Sequence, residues 1–256
     1  MIFLLDGGDW WLNGWLGVSD LGTVTGGEAV LAAPHFDGRL VCELVFANLE
    51  RRWRARTRTE GRHPSDENWR WQQMPTLSEG NPSPEVSLEK LLIRTAGDTW
   101  ANAVPTASGL FDGGGRKANV DLAHRSGAGI AFVELKWADK HPVYAAFEIV
   151  GYAMAWAQAR LRAEEMGYVT GGTLRPALAT DATRWCVLAP ASFYTRWDAE
   201  QLARFAASLD QGVNRFFAER LKVDARFRFL TLPDGIDPMA PKPADVQAIA
   251  ASLAIG

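Results

Sequence analysis

The chain has 256 residues, of which 47% are hydrophobic and 22% charged, and its formal net charge at pH 7 is −3. These values are ordinary for a globular protein with one substantial core, and they argue against a generally basic nucleic-acid coat protein while leaving room for a local basic patch. The two cysteines and four histidines show no zinc-ligand spacing. The apolar run at residues 1–5 is too short for a signal peptide or a membrane span, so we expect a cytoplasmic protein with no membrane partner.

Residues 1–80 differ in pattern from the rest and predict a β-rich N-terminal region. Asp37-Gly38 lies between two apolar-rich runs, which predicts a hairpin. Within residues 51–58, arginine recurs at every second position from Arg52 to Arg58, which favours a third strand with a cationic stripe, and the end of a helix that begins near Leu40 is the alternative. In the strand, Arg54 and Arg56 would contact phosphates, or the stripe would be a solvated edge protected by charge.

A long connection and a helix follow. Residues 61–84 are rich in polar residues, proline and glycine and lack an apolar period, which predicts a connection without regular structure. Ser83 is a typical N-cap and Pro84 suits the first helical position, so we expect a helix to begin there. Apolar residues at helical spacing continue to Gly97, which ends the helix.

Residues 102–118 predict a glycine-rich loop. It contains two cations, Arg116 and Lys117, next to the segment that follows. A solvated turn would explain them, and so would a contact of either side chain with a phosphate group.

The segment 119–137 predicts a β-hairpin. If its loop is Gly127-Ala128, the numbers of facing residues sum to 255, which places Asp121 opposite Glu134. Lys136 lies two residues further along the strand and shares the face of Glu134. One face of the hairpin is then apolar, and the other carries two carboxylates and an ammonium group.

Two carboxylates roughly 5 Å apart repel each other unless they share a proton or hold a cation. Carboxylate oxygens suit Mg²⁺ or Mn²⁺, and a neighbouring lysine can orient a water molecule or stabilise charge on a phosphate. The alternative is a solvated strand face with an incidental ion pair, and a register shift of one residue would turn Asp121 away.

Asp121 followed by Glu134-Leu135-Lys136 resembles the core of the PD-(D/E)XK nuclease superfamily, which has the restriction-endonuclease-like fold. The resemblance covers residues from about 84 to 190, and Val120 stands where the family usually has a proline. It implies a metal-dependent nuclease, with DNA as the favoured substrate.

The resemblance also implies roles for single residues. Asp121 and Glu134 would hold Mg²⁺ or Mn²⁺, with the carbonyl of Leu135 as a third ligand. Lys136 would position or activate the attacking water. A glutamate on the first core helix supports the metal site in the family, and Glu89 is the position that corresponds to it.

Pro142 begins a predicted helix that ends near Met166. Glu148 and Tyr152 share one of its faces. Some branches of the family place a glutamine or tyrosine of this helix near the active site, so the pair could contact substrate; a surface glutamate with a half-buried tyrosine is the alternative. The remaining pattern predicts strands at 184–189 and 225–232 and helices at 198–221 and 244–255.

The order of these elements predicts an α/β (α+β) fold in which a mixed central sheet is flanked by helices. We expect a β-rich region at 1–80, a nuclease-like core at 81–232 and a C-terminal tail with a peripheral helix at 233–256. Two other functions fit the same pattern: a nucleic-acid-binding or structural protein that keeps this fold without turnover, and a metal-dependent hydrolase of a small phosphate compound. A nuclease that cuts both strands of a duplex often works as a homodimer, although no sequence pattern marks an interface.

Overall fold

The structure is a computed structural model that describes residues 24–60, 64–108, 118–127, 129–138, 141–168 and 174–255, without the side chains of residues 24, 56–60 and 96. Within these ranges the helices are α1 (Val24–Ala32), α2 (Gly38–Glu60), α3 (Pro84–Ala96), α4 (Pro142–Leu161), α5 (Ala191–Thr195), α6 (Ala199–Leu221) and α7 (Pro243–Leu253). The strands are β1 (Trp100–Pro105), β2 (Asn119–Ser126), β3 (Gly129–Leu135), β4 (Ala182–Ala189) and β5 (Asp224–Thr231). No helix in the described ranges has both the length and the apolar character that crossing a membrane requires.

The strands form one mixed sheet in the order β1-β2-β3-β4-β5. β1, β2 and β3 pair antiparallel, whereas β3, β4 and β5 pair parallel. The parallel pairs require long connections, and α4 and α6 supply them. The predicted fold class, a mixed central sheet flanked by helices, is therefore confirmed.

The hairpin formed by β2 and β3 has the predicted register. Its pairs run from Leu122 with Val133 to Ser126 with Gly129, and each pair sums to 255. Gly127 adopts a left-handed φ of 54°, which glycine tolerates in a tight turn. One further step along this register places Asp121 opposite Glu134.

Helices cover both faces of the sheet, and β3 is buried along its whole length. On one face, α4 packs on β3 and β4 over the layer that contains Ile130 and Phe132, α6 packs on β5, and α1 and α2 cover these two helices on the outside. On the other, α3 and α7 pack against Val133 and Leu135. The expected division into an apolar and a polar hairpin face is thus only partly right, because the face that carries Glu134 is itself apolar over most of β3. The acidic groups occupy one end of a buried face.

The expected β-rich N-terminal region is wrong for the residues that the structure describes, since 24–32 and 38–60 are helical; residues 1–23 lie outside the described part. Asp37 does not form a hairpin turn but caps α2, where its Oδ1 accepts hydrogen bonds from the backbone amides of Arg39 and Leu40. The apolar residues of α2 recur every three or four positions and are buried: Val41, Cys42, Val45, Phe46, Leu49 and Trp53.

Two further expectations change with this result. The predicted cationic strand at 51–58 is instead the last part of α2, the alternative that begins near Leu40, so its arginines do not form one stripe. The predicted loop at 102–118 begins with a strand, because β1 extends to Pro105 and pairs with β2. Residues 109–117 lie outside the described part.

α2 and α6 approach so closely that Gly212 has no room for a side chain. A methyl group on Gly212 would overlap the backbone of Gly38 and Arg39. The Gly38 amide also donates a 3.0 Å hydrogen bond to the hydroxyl of Ser208 on α6. This contact fixes the N-terminal helices to the core.

We predict that Gly212→Ala lowers the free energy of unfolding by about 1–3 kcal/mol, because overpacking outweighs the gain in helix propensity. Urea denaturation measures the change. Gln211→Ala, at an exposed neighbouring position of α6, is the matched control and should change stability by less than about 0.5 kcal/mol. A stabilised Gly212→Ala variant would contradict the close packing of α2 on α6.

Candidate functional site

Five ionisable side chains from three layers of the fold meet at the end of β3. Glu89 comes from α3, Asp121 from β2, Glu134 from β3 and Glu148 from α4, and Lys136 is the first residue after β3. We call these five residues the acidic cluster. Their charges act on one another, since Glu89 and Glu148 both disfavour ionisation of Asp121 while Lys136 favours it.

Lys136 lies at the centre of the acidic cluster. Its Nζ is 2.5 Å from Oε1 of Glu134 and 3.0 Å from Oε2 of Glu148, and the residue is 8% exposed. Burial alone would lower the pKa of Lys136, but the charges of the surrounding carboxylates outweigh it and raise the pKa above its ordinary value. The ammonium group therefore stays charged at neutral pH. Its single positive charge faces two buried carboxylates and cannot neutralise both.

Glu134 has one carboxylate oxygen without a partner. Its Oε1 binds Lys136, whereas Oε2 is buried and accepts no hydrogen bond from the residues that the structure describes. Burial raises the pKa of Glu134 well above its ordinary value, and the charges of Asp121 and Glu148 add to the effect. An unpartnered buried oxygen is costly, and a cation or an ordered water would satisfy it.

Asp121 faces the acidic cluster at the edge of the buried region. Its Oδ2 accepts a 2.9 Å hydrogen bond from the backbone amide of Leu135, which joins the two strands of the hairpin at the cluster. Burial raises the pKa of Asp121 from 3.8 to about 7, partly offset by the charge of Lys136. Asp121 does not point into the apolar core, and the register of the hairpin, continued by one step, is consistent with the predicted position opposite Glu134.

Glu89 is held by two donors on the same oxygen. Oε1 accepts a 2.5 Å hydrogen bond from Nδ2 of Asn102 on β1 and a 3.1 Å hydrogen bond from Nζ of Lys90. Sequence reasoning did not identify Asn102, which is fully buried. A buried asparagine needs polar partners, but no local pattern indicates that these are Glu89 and Met74.

β1 is distorted directly beside Asp121. Ala103 has a φ of 47°, a left-handed conformation that is rare for a residue with a Cβ atom, and the β1–β2 register places it opposite Asp121. Strained backbone of this kind persists only where the surroundings hold it, and it concentrates at functional sites.

Tyr152 lies one turn after Glu148 on α4 and is 3% exposed. Burial raises the pKa of Tyr152 well above its ordinary value, and the charges of Glu134 and Glu148 add to this. The structure thus brings Tyr152 and Glu148 to the acidic cluster, where the sequence left open whether Glu148 was a surface residue.

The structure does not place Arg54, a predicted phosphate-binding residue, at the acidic cluster. Arg54 pairs with Glu50, which also binds Arg162 just past the end of α4. Arg162 is 14 residues from Glu148, or roughly 21 Å along the helix at its usual rise. The side chain of Arg56 lies outside the described part, and so do Arg116 and Lys117.

The chemistry of the cluster fits a hard divalent cation. Four carboxyl groups face only two ammonium groups, those of Lys136 and Lys90, and one carboxylate oxygen of Glu134 is left unpaired. Mg²⁺ commonly binds through one or two protein carboxylates and keeps several waters. Within the described ranges, no three histidine, cysteine, aspartate or glutamate side chains already form a ready-made metal site. Lys136 occupies the space between two of the carboxylates.

Comparisons of this chain with protein-family models, with curated proteins and with solved structures found no match.

The raised pKa of Asp121 gives a pH dependence with a definite sign. Between about pH 4 and pH 7 the folded protein keeps a proton on Asp121 that the unfolded chain releases, so stability falls as the pH rises through this window. We predict that Asp121→Asn, measured in chelator, unfolds like the parent protein near pH 4 and is more stable by about 1–3 kcal/mol at pH 8.

Thermal and urea unfolding from pH 4 to pH 8 measure this difference. Glu79→Gln, which replaces an exposed carboxylate in the 64–83 connection, is the control and should leave the pH profile unchanged. An Asp121→Asn variant that is less stable than the parent at pH 8 would show that Asp121 does not carry an unfavourable buried charge.

Proposed function

We propose that this protein is a divalent-metal-dependent phosphodiesterase that acts on nucleic acid, with DNA as the favoured substrate. The observation that carries the proposal is the convergence of Glu89, Asp121, Glu134 and Lys136, from a helix and two adjacent strands, in one partly neutralised cluster. These are the residue types that hydrolysis of a phosphodiester with a bound metal requires.

The order of elements supports the same function. A helix with Glu89 comes first, then a strand with Asp121, then the adjacent strand with Glu134 and Lys136, and then a helix that packs on the sheet. This order is the context that the resemblance to the PD-(D/E)XK superfamily implies.

Asp121 and Glu134 would hold the metal, with the carbonyl of Leu135 as a third ligand. When bound, the metal supplies a water molecule of lowered pKa and neutralises charge on the phosphate. The amide of Leu135 fixes the orientation of the Asp121 carboxylate through its 2.9 Å hydrogen bond. The free oxygen of Glu134, Oε2, is the atom available for a ligand.

Lys136 would act as a charged hydrogen-bond donor. Because its pKa is raised, its amine is protonated at neutral pH and does not accept a proton in this state. It would therefore orient the attacking water or stabilise the negative charge that develops on the phosphate. Glu148 would keep the ammonium group near the site through the 3.0 Å ion pair.

We predict that Lys136→Ala and Asp121→Asn each lower the rate of Mg²⁺-dependent cleavage by about 100-fold or more. Lys136→Ala also lowers stability, because it leaves Glu134 and Glu148 buried without their counter-charge. Asp121→Asn removes this ambiguity, since it is expected to fold at least as stably as the parent. Supercoiled plasmid, linear duplex, single-stranded DNA and RNA, each with Mg²⁺ or Mn²⁺, form the substrate panel.

Arg204→Ala, which removes an exposed cation on α6, is the control and should cleave at the parent rate. Cleavage by both site variants at the parent rate would remove the proposed mechanism. A parent protein that binds nucleic acid but cleaves none of the four substrates would favour a binding protein on the same fold.

A further inference from the structure

Residues 71–74 run along the outer edge of β1, and three consecutive residues bind it. The carbonyl of Gln72 accepts from the amide of Asn102 at 3.0 Å, the side-chain amide of Gln73 donates to the carbonyl of Trp100 at 3.0 Å, and the amide of Met74 donates to the side chain of Asn102 at 2.6 Å. We call residues 71–74 the edge segment. It gives the exposed side of β1 a fixed partner.

Asn102 joins the edge segment to the acidic cluster. Its Oδ1 accepts from the Met74 amide, while its Nδ2 donates both to the carbonyl of Met74 at 3.1 Å and to Oε1 of Glu89 at 2.5 Å. The side chain is fully buried, so these bonds have no competition from solvent. An amide side chain supplies both the acceptor and the donor that these bonds need. An ionised aspartate has no donor, so its oxygens would repel the Met74 carbonyl and the Glu89 carboxylate.

The two carboxylate oxygens of Glu89 differ, since Oε1 accepts hydrogen bonds and Oε2 accepts none from the described residues. Asn102 and Lys90 both donate to Oε1. No hydrogen bond from the described residues reaches Oε2, although the residue is only 8% exposed. The charge of Glu89 also raises the pKa of Asp121, so the two carboxyl groups interact.

The edge segment also holds the strained residue of β1. The side-chain amide of Gln72 donates a 2.7 Å hydrogen bond to the carbonyl of Ala103, whose left-handed backbone lies opposite Asp121. The same segment therefore secures both Asn102 and the distortion next to it. A loosely held strand would let Glu89 change position relative to Asp121 and Glu134.

We propose that Asn102, held by the edge segment, is a positioning residue that fixes the carboxylate of Glu89 at the metal site. This inference rests on the proposed function, in which Glu89 contributes to metal binding. Outer partners that orient a metal ligand commonly contribute 10–100-fold to metal affinity. Asn102 contributes through Glu89 alone.

A double-mutant cycle with Mn²⁺ alone tests this, with binding measured by isothermal titration calorimetry on the full chain. We expect Asn102→Leu to weaken Mn²⁺ binding about 10-fold or more in the parent, and less than about 2-fold in a Glu89→Ala background. Thermal melts establish that each variant is folded. If Asn102→Leu does not fold, Asn102→Ala, a smaller change that also removes the donor to Glu89, replaces it.

Asn214→Leu is the matched control, because Asn214 of α6 donates to Asp224 and to the carbonyl of Ala225 on β5 and does not contact the acidic cluster. It should leave Mn²⁺ affinity unchanged whatever it does to stability. An equal loss from Asn102→Leu in both backgrounds would mean that Asn102 acts on general stability and would overturn the inference while leaving the proposed function intact. A parent protein that binds no Mn²⁺ would overturn both.

Discussion

The site depends on one buried interaction, the contact of the Lys136 ammonium group with the carboxylates of Glu134 and Glu148. Removing three charges from water costs several kcal/mol for each ion, and apolar residues of similar size would be as stable or more so. Contacts with the described residues offset this cost only in part, since one carboxylate oxygen of Glu134 has no hydrogen-bond partner among them. An arrangement that costs stability in this way, between the end of β3 and α4, is consistent with the proposed metal site.

The rest of the fold places this cluster and keeps it dry. β3 is buried on both faces, so its polar residues can lie only at its end, where the strand leaves the apolar layer formed by Phe132 and its neighbours. α4 packs across that layer and supplies Glu148 and Tyr152 one turn apart. The N-terminal helices cover α4 and α6 on the outside. The packing of α2 on α6 through Gly38 and Gly212 thus supports the site from a distance.

The hairpin and its carboxylate pair could be predicted because the information is local. A turn at Gly127 fixes the register, and the two-residue period of a strand then decides which side chains face Asp121. The N-terminal helices were mispredicted for the opposite reason. Alternate arginines near residue 54 suggested a strand, although Val41, Val45 and Leu49 already had helical spacing. β1 was missed because Asn102 and Ala103 interrupt its apolar pattern. The role of Asn102 has no local signal at all, since its partners lie 13 and 28 positions away.

Locating a bound metal ion would show directly whether Asp121 and Glu134 form a metal site. Crystals soaked in Mn²⁺ would be measured for anomalous scattering at the manganese edge. We expect one strong peak within coordination distance of Asp121 and Glu134, and no such peak in Asp121→Asn crystals. A manganese peak only elsewhere on the molecule would show that Asp121 and Glu134 do not hold the metal.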